Sequence, residues 1–447
     1  MKKTVRHLAV EILNRLESSD AFAGELLDEY LERHCLSETP DGRLLTHLVY
    51  GVLRLRGHLD WILARLCRGG LENMDEGIKN ILRLGLFQLK FSDRLPDFAV
   101  VNEAVKIAGR LQPEKRALVN AVLRNYLRRG DEISFPSPKK NPASFLATYH
   151  AHPLWLVKKW LKIFGFEETA ALCAANNEIP PLTIRVNTLK ISRENFLRRL
   201  GDAGWDARET TYSPDGLILN HPATPVQKST FFEKGLVRLQ DEGAQLLSRM
   251  AHDDRTETVL DACAGTGGKT THLAALLRNR GKIVAVDRST EKLDELRREA
   301  NRLGINIIET QILDLSETAP SFLRSKFDCV LVDAPCSGTG TLRRNPEIKW
   351  RLTEKDLRKL VTSQKTILQN ASATVKKGGR LLYGTCSLLP EENEKIVDDF
   401  LKSNADFSMG EPPASIDKRL LDSRGSLRTY PQRHNMDGFF AAILKRQ

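Results

Sequence analysis

The sequence has 447 residues, a formal net charge of +11 at pH 7 and 41% hydrophobic residues. With a mean hydropathy of −0.34, this composition excludes a disordered, collagen-like or membrane-spanning chain and leaves room for about three domains. The mild basic excess permits a polyanionic partner without requiring one. Seven cysteines without a repeating spacing disfavour a disulfide framework or a zinc site, so we expect a cytoplasmic protein without a metal.

The first part of the chain predicts a bundle of helices. Apolar residues recur at helical spacing in stretches such as 44–53 and 78–87, and helix breakers fall between these stretches. We therefore predict an all-helical domain over residues 1–132. A cluster of prolines and serines then predicts a linker over residues 133–149.

A small α+β domain is predicted next, over residues 150–240. A helical pattern at 155–176 precedes a strand-like alternation at 182–187. A further helix and two short strands are expected at 194–200, 216–219 and 236–239.

The remaining residues, 241–447, alternate between apolar strand-like runs and helical stretches. This alternation is typical of a parallel, doubly wound α/β sheet. The first five runs lie at 258–260, 283–286, 305–308, 329–332 and 380–383. A last run at 438–444 is expected to close the sheet at one edge.

A glycine-rich segment, 261–270, follows the first predicted strand of this sheet. Cys263 stands where a phosphate-binding P-loop needs glycine, and Thr270 stands where a dinucleotide-binding motif needs its third glycine. The segment therefore favours a nucleoside-like ligand without a phosphate chain, a description that S-adenosylmethionine fits; a tight turn without a ligand is the structural alternative. The residues predicted to hold this cofactor are Cys263, Ala264, Gly265, Thr266, Gly267, Gly268 and Lys269.

Acidic residues end the next strands of the predicted sheet. Asp287 lies about where such folds place a carboxylate that binds the two ribose hydroxyls. Asp314 follows the third strand and could accept a hydrogen bond from the adenine amino group. Asp333 ends the fourth strand and is also predicted to bind the cofactor.

Two cysteines follow neighbouring strands at the same edge of the sheet. Cys336 lies in the segment Val-Asp-Ala-Pro-Cys-Ser-Gly-Thr-Gly, and Cys386 lies in Gly-Thr-Cys-Ser. A single cysteine is more often a small buried apolar residue than a nucleophile. Two at equivalent strand ends, beside Asp333, indicate catalysis. The following pair, Arg343 and Arg344, could bind RNA phosphates, although a solvated loop explains the pair equally well.

These motifs resemble the RNA 5-methylcytosine methyltransferases of the NOL1/NOP2/Sun group. The resemblance rests on the segments 261–270, 332–340 and 384–394, and on Asn-Pro-Glu-Ile-Lys-Trp at 345–350 and Asp-Gly-Phe-Phe at 437–440. The helical domain resembles the RNA-binding antitermination factor NusB. Together they imply a NusB-like bundle, a small RRM-like domain and a Rossmann-like class I S-adenosylmethionine methyltransferase domain.

The combined resemblance implies methylation of carbon 5 of a cytosine in 16S ribosomal RNA, cytosine 967. Nothing in the sequence indicates more than a monomer. It implies that Cys386 is the nucleophile that adds to carbon 6, and that Cys336 assists product release. Asp333 would hold the pyrimidine edge, and Lys269 would neutralise charge near it. The family loop usually reads Ala-Pro where this sequence has Gly265 and Thr266, which puts cofactor affinity in question.

Three alternatives stay open at this point. A DNA cytosine methyltransferase would use Cys336 as its nucleophile and would not need Cys386. A related enzyme could act on another ribosomal or transfer RNA site. A non-enzymatic RNA-binding protein of the antitermination type would need neither cysteine nor the acidic cofactor positions.

Overall fold

The computed structural model describes residues 3–67, 69–92, 95–222 and 224–447. The chain divides into two units. The first consists of residues 1–179 with 342–351, and the second of residues 180–341 with 352–447.

The first unit is built from helices, as the sequence predicts. Thr39 caps α3 by accepting a hydrogen bond from the Gly42 backbone N–H at 3.0 Å, and Asp75 caps α4 in the same way. Buried leucine, isoleucine and valine side chains fill the bundle core. The helices are α1 Val5–Ser18, α2 Ala23–Arg33, α3 Pro40–Leu66, α4 Glu76–Phe91, α5 Asp97–Leu111, α6 Arg116–Arg129, α7 Pro142–Tyr149 and α8 Leu154–Ala175.

Helix α7 lies inside the segment 133–149 that was predicted as a linker. The Asn141 side chain accepts a hydrogen bond from the Ser144 backbone N–H at 3.1 Å, and Pro142 occupies the first helical position. The prolines of this segment thus mark a helix start as well as a connection. Helix α8 confirms the helix predicted at 155–176.

The second unit begins with a four-stranded antiparallel sheet of order β2-β3-β1-β4. Phe196 and Leu200 of its first helix are buried against the sheet. The elements are β1 Leu182–Val186, α9 Arg193–Asp202, β2 Asp206–Glu209, β3 Gly216–Asn220, α10 Thr230–Glu233 and β4 Val237–Leu239. Strand β2 was not predicted, because its residues are mostly charged and none of them is buried.

The larger sheet has the order β10-β12-β9-β8-β5-β6-β7, and β11 pairs with β12. Strands β5 to β9 run parallel, which confirms the predicted parallel α/β sheet, and β10, β11 and β12 add antiparallel. The elements are α11 Glu242–Ala251, β5 Thr258–Asp261, α12 Gly268–Leu276, β6 Lys282–Asp287, α13 Thr290–Leu303, β7 Ile308–Ile312, β8 Phe327–Asp333, α14 Ile348–Arg351, α15 Glu354–Ser372, β9 Val375–Thr385, α16 Glu394–Ser403, β10 Phe407–Met409, β11 Leu427–Arg428, α17 Pro431–His434 and β12 Phe440–Arg446.

Two details of the predicted sheet need correction. The last strand, β12, lies between β9 and β10 rather than at the edge, because the unpredicted three-residue strand β10 pairs outside it. The third strand begins at Ile308 instead of residue 305. Gly304 ends α13 in the left-handed conformation, and the Ile305 backbone N–H turns back to the Ala300 carbonyl at 2.9 Å.

The order of the larger sheet also positions a ligand site. Strand β5 lies between β6 and β8, so the chain connections diverge on either side of it. In such sheets the crevice at the carboxyl end of the central strands is where ligands bind. The segments that follow β5, β6, β8 and β9 meet at this edge.

The segment between β8 and α15 leaves the second unit. Residues 342–351, which include α14, are held within the helical first unit. The Trp350 indole N–H donates to the Leu53 carbonyl at 2.7 Å, and Lys349 Nζ donates to the Arg54 carbonyl at 2.7 Å. The chain that follows the Cys336 segment is therefore anchored in the helical bundle.

Candidate active site

The glycine-rich loop starts from a buried carboxyl group at the end of β5. Asp261 is 1% exposed; its Oδ2 accepts from Thr270 Oγ1 at 2.7 Å, and its Oδ1 accepts from the Cys263 backbone N–H at 3.4 Å. These bonds join the start of the loop to the first turn of α12. Burial raises the pKa of Asp261 to about 7.

Two glycines of this loop adopt a conformation that other residues rarely take. Gly265 has φ +52° and Gly267 has φ +82°. A Cβ atom built on Gly267 would lie 2.6 Å from Leu296 Cγ, whereas one built on Gly265 meets no atom within 4 Å. The loop therefore packs tightly on one side and presents bare backbone to open space on the other.

Carboxylates at the ends of β6 and β7 stand beside this open space. Asp287 Oδ2 accepts a hydrogen bond from the Gly265 backbone N–H at 2.9 Å, which ties the acidic residue directly to the loop. Asp314 lies two residues after β7 and is partly exposed; hydrogen bonds from Ser316 lower the pKa of its carboxyl group. A bare glycine backbone with the Asp287 carboxylate bound to it, and with Asp314 following the neighbouring strand, fits a nucleoside-like ligand such as S-adenosylmethionine.

Two arginines of the small sheet donate hydrogen bonds to backbone carbonyls of the glycine loop, and the sequence did not predict these contacts. Arg238 Nη2 of β4 donates to the Thr266 carbonyl at 3.0 Å and to Thr266 Oγ1 at 3.3 Å. Arg185 Nη1 of β1 donates to the Gly268 carbonyl at 2.7 Å. Residue 266, where the resembled family usually has proline, is thus restrained by an arginine instead.

The two predicted cysteines meet at the end of the neighbouring strands β8 and β9. Cys336 Sγ and Cys386 Sγ are 3.2 Å apart, within hydrogen-bonding distance, and both side chains are partly buried. The hydrogen bond with Cys386, together with burial, raises the pKa of the Cys336 thiol. Cys336 therefore keeps its proton more strongly than a free thiol does.

Lys269 and Asp333 form an ion pair beside these thiols. Burial disfavours the charged form of Lys269, but the Asp333 carboxylate outweighs it, so the pKa of the lysine is raised. The Cys386 sulfur contributes to this shift, which places the lysine charge near Cys386. The Phe439 ring centroid lies 5.6 Å from Lys269 Nζ.

The predicted RNA-binding pair, Arg343 and Arg344, belongs to the first unit. Arg343 is 1% exposed, and Arg54 Nη2 donates to its backbone carbonyl at 3.3 Å. Arg344 is partly exposed. A contact between Arg343 and RNA phosphates would require this segment to open, and the role of both residues stays a prediction.

Glu392 was not predicted to belong to the site. It is a fully buried carboxylate that contacts the segments carrying both cysteines. The sequence did contain a hint, because a serine follows both Cys336 and Cys386. A polar residue repeated beside two reactive residues suggests that one polar side chain binds both serines. No comparable signal marks Arg238 or Arg185, whose contacts depend on how the small sheet packs against the larger one.

Comparison with known proteins agrees with this architecture. The family model of 16S rRNA methyltransferase RsmB/F matches residues 249–445, the NusB family matches residues 3–128, and the RsmF/B-like ferredoxin-like domain matches residues 152–227. A Bacillus subtilis (strain 168) protein named "Probable ribosomal RNA small subunit methyltransferase B" is 35% identical, with all of both chains covered.

The chain belongs to the 16S rRNA methyltransferase RsmB/F family. Ribosomal RNA small subunit methyltransferase B of Pseudomonas syringae pv. tomato is 35% identical over 91% of this chain and 90% of its own. The crystal structure of PH0851 superposes with a TM-score of 0.84 at 28% identity, covering all of both chains. NSun6 from Pyrococcus horikoshii, solved with SFG, has the same fold at 23% identity, with a TM-score of 0.58 over 66% of this chain and 99% of its own.

Membership of the RsmB/F family confirms the predicted resemblance, the three-part architecture and S-adenosylmethionine as the cofactor. The protein is thus an S-adenosylmethionine-dependent ribosomal RNA methyltransferase. Within the described residues, no helix is both long and apolar enough to cross a membrane. No group of three or more His, Cys, Asp or Glu side chains in that same part of the chain is arranged to hold a metal ion.

Proposed function

We propose that this protein methylates carbon 5 of a cytosine in 16S ribosomal RNA through a covalent bond between Cys386 and the base. The observation that carries the proposal is the pair of thiols, Cys336 and Cys386, 3.2 Å apart beside the glycine loop. By resemblance the target is cytosine 967, and the enzyme acts as a cytoplasmic monomer.

A thiol is needed beside the methyl donor because cytosine must be activated before carbon 5 can accept a methyl group. Carbon 5 of cytosine is a poor nucleophile, and addition of a thiolate to carbon 6 turns the ring into an enamine whose carbon 5 is nucleophilic. Cys386 forms the sulfur–carbon bond as its thiolate, which is the nucleophilic form of a cysteine, and the charge of Lys269 lies nearby. S-adenosylmethionine, when bound, supplies an electrophilic methyl group.

Asp333 is proposed to hold the pyrimidine edge of the target cytosine. A carboxyl group there favours a proton on the ring nitrogen, which stabilises the adduct while the Cys386–carbon 6 bond exists. Lys269 keeps Asp333 in place through their ion pair. The base must leave its stack to reach these groups, and unstacked RNA loops present bases in this way.

Release reverses the addition. A base takes the proton from carbon 5, the electrons of that bond restore the ring double bond, and the Cys386 thiolate leaves carbon 6. Cys336 is proposed to assist this elimination, because it contacts the Cys386 sulfur directly. The alternative arrangement, that of DNA cytosine methyltransferases with Cys336 as the nucleophile, would leave Cys386 without a role.

The glycine loop is proposed to bind the cofactor. The backbone from Cys263 to Lys269 would contact the nucleoside, Asp287 would accept hydrogen bonds from the ribose hydroxyls, and Asp314 would accept one from the adenine amino group. Asp333 borders both the cofactor and the cytosine.

The test is methyl transfer from labelled S-adenosylmethionine to unmodified, protein-free small-subunit RNA, with the modified nucleoside identified by mass spectrometry. We expect 5-methylcytosine at one site, and none with Cys386→Ala. Cys35→Ala is the matched control, because Cys35 is exposed in the helical unit. Methylation at another atom, or full activity of Cys386→Ala, would contradict the proposal. Methyl transfer to tRNA alone would show that tRNA, and not 16S ribosomal RNA, is the substrate.

A further inference from the structure

The residue after each active-site cysteine turns into the protein interior. Ser337 and Ser387 are 4% and 1% exposed, and their hydroxyl oxygens are 3.2 Å apart. Thr339 Oγ1 lies 3.2 Å from both. The segments that carry Cys336 and Cys386 are thus joined by a buried hydroxyl cluster immediately behind the two thiols.

The carboxylate of Glu392 binds both sides of this cluster. Its Oε1 accepts from the Ser337 backbone N–H at 2.8 Å, and its Oε2 accepts from Ser337 Oγ at 2.5 Å. The same Oε2 accepts from Ser387 Oγ. One fully buried side chain therefore contacts the immediate neighbour of each cysteine.

Glu392 is itself held firmly in place. Gln364 Nε2 of α15 donates to Glu392 Oε1 at 2.9 Å and also to the Pro335 carbonyl at 2.9 Å. The Tyr383 hydroxyl of β9 donates to the Glu392 backbone carbonyl at 2.6 Å. Both the carboxylate and its backbone are fixed to the strands and helix that carry the site.

Fold stability alone does not explain a carboxylate at this position. Burying a charge costs free energy even when hydrogen bonds replace water, and apolar packing of similar volume is often at least as stabilising. Hydrogen bonds from two serines to one carboxylate, however, fix the distance between the chains that carry them, with a directionality that apolar contacts lack. The arrangement suits a site in which two thiols must act in turn on one base.

We propose that Glu392 is a positioning residue that sets the separation of the Cys336 and Cys386 thiols through Ser337 and Ser387. The kinetic consequences rest on the proposed function. The thiol separation does not, because it can be measured without cofactor or RNA.

The first experiment measures that separation in the full-length protein with Cys35→Ala, which removes the exposed cysteine. Dibromobimane becomes fluorescent when two neighbouring thiols each displace one of its bromides. We expect fast cross-linking of Cys336 to Cys386, and about tenfold slower cross-linking in Glu392→Gln. The matched control is Glu391→Gln, which removes the neighbouring carboxylate. Equal rates in all three proteins would overturn the proposal.

The second experiment measures turnover of the same variants. Misplacing reacting groups by about 1 Å can cost about a hundredfold in rate, so we expect Glu392→Gln to lower kcat by that factor while the KM for S-adenosylmethionine changes less than about twofold. A merely structural role would instead lower the melting temperature and leave kcat of the folded fraction unchanged. That result would also overturn the proposal.

If Glu392→Gln does not fold, Ser337→Ala and Ser387→Ala decide the question. Each removes one hydroxyl donor from the carboxylate, and each should slow both cross-linking and turnover. Unchanged rates in both serine variants would contradict the proposal. If the wild-type protein cross-links as expected but forms no 5-methylcytosine, the proposed function fails while the role of Glu392 in thiol placement stands.

Discussion

The glycine loop and the cysteine segments lie at the same edge of one sheet, but they are held in different ways. The glycine loop takes its shape from left-handed backbone at Gly265 and Gly267 and faces open space. The cysteine segments are closed by buried side-chain hydrogen bonds around Glu392. One region exposes backbone to a ligand, whereas the other fixes the distance between reacting groups. Changes in the first should alter cofactor affinity, and changes in the second should alter turnover.

Lys269 belongs to both regions, because its backbone is part of the glycine loop and its side chain lies beside the cysteines. Lys269→Met leaves the partly exposed Asp333 without its cation and removes the charge near Cys386. We expect kcat to fall about a thousandfold, with the Kd for S-adenosylmethionine within about fivefold of wild type. Calorimetric titration and single-turnover assays measure the two quantities. A large loss of affinity with normal turnover would place Lys269 in the cofactor site alone.

Asp261 tests whether a buried side chain also governs the glycine loop. Its pKa of about 7 lies above that of an unfolded aspartate, so the folded protein binds the extra proton between about pH 4 and pH 7. Stability due to this group is therefore present at low pH and is lost as pH rises through 7. Asparagine stays neutral at every pH, so Asp261→Asn should not lose this stability. At pH 8 we expect its free energy of unfolding to exceed that of wild type by about 2–4 kcal/mol. Urea unfolding at pH 5 and pH 8 measures the difference, and an equal offset at both values would show that Asp261 does not titrate there.

Gly265 is the position at which a substitution should alter cofactor affinity without altering turnover. In Gly265→Val the side chain would project into the open space beside Asp287, on backbone that disfavours a β-branched residue. We expect the Kd for S-adenosylmethionine to rise about thirtyfold, with kcat at saturation little changed. Gly378→Val is the matched control, because Gly378 has φ +79° and open space but lies near the start of β9. A similar loss of affinity in the control would mean that general destabilisation is the cause.

Substitution of Arg238 should weaken cofactor binding less than substitution of Gly265 does. The hydrogen bonds of Arg238 to Thr266 restrain the loop where the family usually has proline. Arg238→Met should weaken S-adenosylmethionine binding about fivefold, and much less in a Thr266→Pro background, where the ring supplies the restraint. A double-mutant cycle on the Kd measures this coupling. Additive effects would show that Arg238 does not act through Thr266.

The same contrast explains what the sequence could predict. The glycine loop and the acidic strand ends are local patterns, so their positions could be identified without the fold. The meeting of Cys336 and Cys386 followed from parallel strands that end at one edge. Glu392 and Arg238 could not be assigned, because their roles depend on contacts between segments far apart in sequence. Strands β2 and β10 escaped prediction for a related reason, since pairing with their neighbours rather than apolar alternation defines them.

Cys386, and not Cys336, is proposed to bond to the target base. The most direct measurement uses wild-type protein, S-adenosylmethionine and small-subunit RNA containing 5-fluorocytidine, whose fluorine blocks the elimination step and traps the adduct. After protease and nuclease digestion, mass spectrometry locates the attached nucleotide. We expect a methylated fluorocytidine on the peptide containing Cys386. Attachment to the peptide containing Cys336 would contradict this proposal and support the DNA methyltransferase arrangement instead.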